Sequence, residues 1–210
     1  TRTAHDLLNL GRRDEAIVII KQLIERNKSN QAKEIANNML RKAVDMSIRI
    51  AHQKLKEGDT DSSLQHVQEG FYIDEHNSQL LEIAANIHLK LNDHQKTIQY
   101  AQRLNTHHPA NPFGYIRHAQ GLLIGGLAYE AHEIAINALK KFPHNPQLLA
   151  VASGTCRSLS RWDESLIHAK QLIKSHPDFH LGYLRAAQDL LKLDRPNEAC
   201  SVAQRGLQTH

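Results

Sequence analysis

Small residues recur through this chain at an interval of 34, at Ser63, Thr97, Ala131, Ser165 and Ala199, with no insertion across four steps. Other columns keep the same register. Twelve residues earlier stand Ala51, Ala85, Ala119, Ser153 and Ala187. Five residues earlier stand Gly58, Asn92, Gly126, Ser160 and Asp194, all turn formers. Twelve residues later come Pro109, Pro143 and Pro177, with Glu75 in the first copy. A fixed period of this length marks a stack of like supersecondary units, each too small to bury both of its faces alone. In the second half of each unit the apolar residues step by three and four, as in Ile98, Ala101 and Leu104, or Leu166, Ala169, Leu172 and Ile173. That is an apolar stripe on an α-helix. The small columns let two helices of a unit approach closely, and the prolines end the second helix because proline cannot continue it.

On these columns the chain resembles the tetratricopeptide repeat (TPR) family, whose unit is a 34-residue helix–turn–helix. The copies run 44–77, 78–111, 112–145, 146–179 and 180–210, the last truncated. Residues 1–43 form a basic hairpin and the start of a long helix. In that hairpin the run from Gly11 to Ala16 looks like a repeat turn entering its second helix, and the stretch from Asn30 to Glu57, free of Pro and Gly, predicts one continuous helix. The expected fold is all-α, a right-handed α-solenoid of about six antiparallel hairpins. Some family positions differ: the frequent first-helix Trp is Ser47, Leu81, Tyr115, Leu149 and Tyr183, and the second-helix aromatic is Val67 or an alanine.

Charge and chemistry narrow the function. Residues 1–43 hold nine Lys/Arg and five Asp/Glu, whereas 44–210 hold 17 of each, so the net charge of +4 belongs to the first segment. A neutral repeat body with 5% aromatics disfavours nucleic acid, which needs a cationic track or stacking platforms. No window approaches the ~20 apolar residues of a membrane span. Cys156 and Cys200 form no metal motif and are expected as buried free thiols, which points to a reducing, cytoplasmic setting. The chain begins at Thr1 and reads as a piece of a longer protein. No catalytic constellation, phosphate loop or dinucleotide fingerprint is present, so neither catalytic residues nor a cofactor is expected. Among the 15 histidines only His176 and His180 have four-residue spacing, and Pro177 separates them, so no metal site is expected. His76, His108, His144, His176 and His210 fall in successive inter-repeat turns, along one expected edge. Asp163-Glu164, Glu130 and Glu198 open second helices, where acid complements the helix dipole. Trp162, in the same turn, is expected to pack between hairpins.

The resemblance implies that first helices line a concave groove. The positions it selects carry seven basic and two acidic residues, with Arg49, Arg117 and Arg185 in one column of alternate repeats. Arginine forks suit carboxylates. The expected partner-binding residues are Arg49, His52, Lys56, Asn86, Lys90, Arg117, Gln120, Arg157, Arg185, Gln188 and Lys192. Gly154 and Ala150 are expected to leave a hollow for the partner. Ile48, Ile83, Ile116 and Val151 occupy further groove positions, and Leu55, Leu89, Leu123 and Leu191 are expected as partial core. The arrangement by which some family members clamp acidic chaperone tails is not assembled, since its first Lys is absent from every copy. The leading expectation is a non-catalytic scaffold for an acidic or C-terminal peptide. One rival is the repeat portion of a larger enzyme, as in the arrays joined to bacterial glycosyltransferases and sulfotransferases. A second is an RNA-binding helical repeat. Self-association through Leu184, Ala187 and Leu191 of the end repeat is a further expectation.

Overall fold

The structure, a computed structural model, describes residues 2–9, 12–26 and 29–209. Gly11 and His210 lie outside the described residues. Twelve α-helices and no strand occur among the described residues, and none is long and apolar enough to cross a membrane. Two compact units emerge, residues 1–87 and 88–210.

The first unit contains α1 (Arg2–Asn9), α2 (Arg13–Arg26), α3 (Asn30–Lys56), α4 (Thr60–Ile73) and most of α5 (Ser78–Lys90). The long helix expected from Asn30 is α3, 27 residues without a break. Neighbours in sequence pack as neighbours in space, α1 on α2, α2 on α3 and α3 on α4. Ala4, Ile20, Ala36 and Met39 make one apolar cluster. The small columns meet as their sizes require. Ser63, fully buried, donates its hydroxyl proton to the Ala51 carbonyl at 2.8 Å.

The second unit holds α6 (His94–His107), α7 (Pro112–Ile124), α8 (Ala128–Lys141), α9 (Pro146–Ser158), α10 (Trp162–Ser175), α11 (His180–Lys192) and α12 (Pro196–Thr209). Here too each helix packs on the next, and α7 also touches α9. One core cluster gathers Ile116, Ala119, Leu122, Ala131, Ala135, Ala138 and Leu148, and another Leu166, Ala169, Ala186, Leu190 and Ala199. The first helices begin on capping side chains: Asn111 accepts from Phe113 N at 3.0 Å and Asn145 from Leu148 N at 3.0 Å, each followed by a proline. Helices α6, α8 and α10 stop two residues short of Pro109, Pro143 and Pro177.

The turn column proves to be a conformational one. Gly58, Asn92, Gly126, Ser160 and Asp194 all take positive φ, at 83°, 55°, 79°, 56° and 55°. A left-handed residue closes the first helix of a hairpin before the chain reverses, and glycine, asparagine and aspartate tolerate it best.

One expectation is corrected by burial. Cys156 is buried, but Cys200 is exposed. Ala199 takes the contact with Ala186 and Leu190, and a one-residue step turns the next side chain well away around a helix.

Candidate binding face

In the first unit the expected residues lie on the last turns of α3. Arg49, His52 and Lys56 are exposed. With Gln53 they line an open concavity of about 490 Å³. Lys54, one position off that line, is paired with Glu57 at 2.8 Å. Among the described residues none of Arg49, His52 and Lys56 is paired with a carboxylate. Asn86, on α5, is half-buried and already engaged in a contact.

The second unit treats its cations differently. Arg117 is half-buried, donating to Gln120 Oε1 at 2.6 Å with its guanidinium 4.4 Å from the Phe113 ring. Arg157 pairs through Nη1 with Asp189 Oδ1, and its Nη2 donates to Gln188 Oε1 at 2.9 Å. Asp189 is fully buried and takes a second hydrogen bond from the Ser165 hydroxyl at 2.5 Å, while Ser165 lies 3.0 Å from Ser153. Arg185 donates through Nη1 to the Ala150 carbonyl. Burial, and then the like charge of Arg157, hold the Arg185 guanidinium below its usual pKa, against the pull of Asp189. Lys90 and Lys192 remain exposed. The Lys192 ammonium and the Arg157 guanidinium lie 5.8 and 5.7 Å from the Trp162 ring, so that ring packs against side chains of two successive hairpins.

Three expectations change as a result. The hollow expected at Gly154 and Ala150 is filled by the protein itself: a Cβ built on Gly154 would lie 3.1 Å from Arg185 Nη1. The glycine makes room for an arginine of the next repeat. Ile48, Ile83, Ile116 and Val151, expected on the groove, are buried, because these apolar side chains serve the packing between neighbouring helices. Leu55, Leu89 and Leu123 are half-buried as expected, but Leu191 is 60% exposed, as is Leu184 at 49%.

The residue that sequence reasoning missed is Asp189. It falls one position from Gln188, in a column that also holds Gln53, Ile87, Gly121 and Thr155. The available signal was the serine pair. Where the other small columns could pack alanine, Ser153 and Ser165 place hydroxyls in the core, and a buried hydroxyl calls for a polar partner. Of the histidine edge, His176 Nε2 donates to the His144 carbonyl at 2.7 Å, tying two successive inter-repeat turns, and His76 and His108 are also engaged.

No family profile matches the chain, and no curated protein matches it. Solved structures do. PilF of Pseudomonas aeruginosa aligns with TM-score 0.72 at 12% identity, covering 81% of this chain and 78% of that one. TTC0263 of Thermus thermophilus, a thermophilic TPR protein, gives TM-score 0.67 at 17% identity, covering 79% and 91%. YrrB, a TPR protein with an unusual peptide-binding site, gives 0.60 at 10% identity, covering 91% and 92%. At such identities the likeness is one of backbone, and it agrees with the 34-residue recurrence of helices and left-handed turns: this chain has the tetratricopeptide-repeat fold.

Proposed function

We propose that this chain is a non-catalytic protein-binding scaffold that takes an acidic peptide segment, with the exposed α3 cations Arg49, His52 and Lys56 as its primary contact. The observation that carries this reading is their setting: cationic side chains lining an open concavity of about 490 Å³ without a carboxylate of their own. An arginine fork already committed to an internal carboxylate cannot also grip a ligand, whereas these can. The fold supports the reading at a coarser level, since YrrB, of like fold, is a TPR protein with a peptide-binding site. In the second unit Lys90 and Lys192 serve as exposed secondary contacts. Arg117 with Gln120, Arg157 with Gln188, and Arg185 hold the first helices in place. Asn86 contributes a polar contact in the first unit. The repeats 44–77 to 180–210 are the working modules, and 1–43 is a basic hairpin with the start of α3.

Fluorescence anisotropy with a panel of labelled peptides tests this. An acidic peptide with a free C-terminal carboxylate should bind, and its affinity should fall with salt. Arg49→Glu combined with Lys56→Glu should weaken it at least tenfold, which is about 1.4 kcal/mol. Equal binding of acidic, neutral and basic peptides, or an unchanged affinity in the double variant, would remove the α3 face from the function.

A further inference from the structure

We infer that His132, Cys156, Glu164 and His168 form a site for one zinc ion, clamping α8, α9 and α10. One nitrogen of His132, the Cys156 sulfur and a Glu164 carboxylate oxygen lie within 4.8 Å of one another. These are the donor types that zinc prefers: thiolate, imidazole and carboxylate.

Two further observations point to this place as a cation site. The first is the hydrogen bonding around His132. Thr155 donates its hydroxyl proton to the Ala152 carbonyl at 2.8 Å, so its oxygen is left to accept from His132 Nδ1 at 3.2 Å. That assigns the proton to Nδ1 and leaves Nε2 with a bare lone pair. Nε2 faces Glu164 Oε2 at 4.0 Å. Arg161 Nη1, 3.6 Å from the same oxygen, offsets part of that charge, and an ion bound between Nε2 and Glu164 would take its place. Thr155 then has the part of an outer partner that orients a metal-binding imidazole through its other nitrogen. The second observation is His168, one helical turn after Glu164, where a side chain lies on the same helix face. Among the described residues its buried Nδ1 has no hydrogen-bond partner. His168 is not among the three donors within 4.8 Å of one another, and its ring would turn toward them to supply the fourth ligand.

The geometry can close on an ion. Bonds of about 2.3 Å to sulfur and about 2.0 Å to nitrogen put tetrahedral ligands about 3.5 Å apart. The three donor atoms of His132, Cys156 and Glu164 already lie within 4.8 Å of one another, so small side-chain rotations bring them to that spacing. Glu164, with its side chain 51% exposed, can rotate inward and gives the ion a way in from solvent. Only the surface pair of Glu164 with Arg161, at 3.6 Å, must be given up. Without metal, burial, aided by Glu164, pushes the Cys156 thiol up to about 11. On binding, the thiol proton passes to solvent as the sulfur–zinc bond forms, so affinity rises with pH.

Titration of the full chain with cobalt(II), as a spectroscopic stand-in for zinc, tests the inference. The expected result is one equivalent bound with a thiolate-to-cobalt charge-transfer absorption, displaced by zinc, and a melting temperature raised by zinc. Cys156→Ser should abolish the absorption, and Cys200→Ser should keep it. His132→Ala and His168→Ala should each weaken binding at least tenfold. Glu164→Gln, at an exposed side chain, leaves the metal-free melting temperature unchanged and should also weaken binding tenfold, which keeps the test sound if a core variant unfolds. Absence of the absorption, its persistence in Cys156→Ser, or its loss in Cys200→Ser overturns the site. Unchanged affinity in His168→Ala removes the fourth ligand.

Discussion

The α3 face of the first unit and the α9–α11 face of the second are drawn from the same repeat positions, yet their arginines meet opposite fates. Arg49 and Lys56 stand exposed over an open concavity. Arg157 and Arg185 are folded into the protein, one on a buried carboxylate and the other on a backbone carbonyl. Position within the repeat sets which way a side chain leaves its helix. It does not set whether the group at its tip is available. That depends on what lies beneath, and in the second unit it is Asp189, fully buried. An arginine over a buried carboxylate is structural, whereas one over solvent is free to recognise a ligand.

The largest effect should follow from removing that carboxylate. Asp189→Ala leaves Arg157, whose side chain is 26% exposed, without its ion pair, and leaves the Ser165 hydroxyl without its acceptor. Because the charge left behind is partly solvated, the loss is that of the buried hydrogen bonds, about 1–3 kcal/mol. Arg49→Ala should cost no more than about 0.5 kcal/mol, as for an ordinary surface change. Urea denaturation followed by circular dichroism measures both. If Asp189→Ala costs under about 1 kcal/mol, Arg157 is not held by it, and the contrast between the two faces collapses.

A second contrast lies in pH. In the second unit burial holds the His118 imidazole below its ordinary 6.5, and burial does the same to His88 despite the opposing charge of Asp93. Their surroundings account for this: His118 meets the Gln102 amide at 3.4 Å, and His88 stacks on Tyr100 with Asp93 at 3.3 Å and Lys96 nearby. A histidine with a lowered folded pKa binds its proton more readily when unfolded, so stability falls as pH drops below 6.5. The loss is up to about 1.4 kcal/mol per pH unit for each such histidine, and it levels off below the folded pKa. Melting temperatures between pH 7 and 5 should decline, and His118→Gln should make the decline shallower. An unaltered slope in His118→Gln would show that other groups set it.

Much of this molecule is legible in its sequence because the repeat ties each helix to a column. The 34-residue register placed the hairpins, Asn30 to Glu57 announced α3, and the prolines announced the ends of α6, α8 and α10. The binding face was legible only as a set of directions. Whether Arg185 faced a hollow or filled one depended on Gly154, 31 residues away and in the preceding repeat, and nothing in the spacing of either residue reveals that they meet. Asp189 stayed hidden because a lone acid near the end of an apolar helix reads as a surface residue. The His132–Cys156–Glu164 cluster stayed hidden for a related reason. Its members come from three helices, so no motif of short spacing links them.

The smallest expected effect concerns the turns, where the units differ again. The first unit closes α3 with Gly58, for which a left-handed conformation costs nothing in sterics. In the second unit the same conformation falls on Asn92, Ser160 and Asp194 as well as Gly126. Asparagine and aspartate can offset part of the strain through their short polar side chains. Serine does so more weakly, which makes Ser160 the most strained of the column. Ser160→Gly removes the clash of Cβ with the backbone but gives the unfolded chain more freedom, and the two effects oppose. A left-handed L-residue costs roughly 1–2 kcal/mol and glycine's added entropy roughly 0.5–1 kcal/mol, so a net gain of about 0.5–1 kcal/mol is expected. Gly58→Ser should show the reverse sign at similar size in the same urea experiment. If both substitutions prove neutral, the column marks the reversal of the chain without storing strain in it, and the second unit carries no penalty for having replaced glycine in its turns.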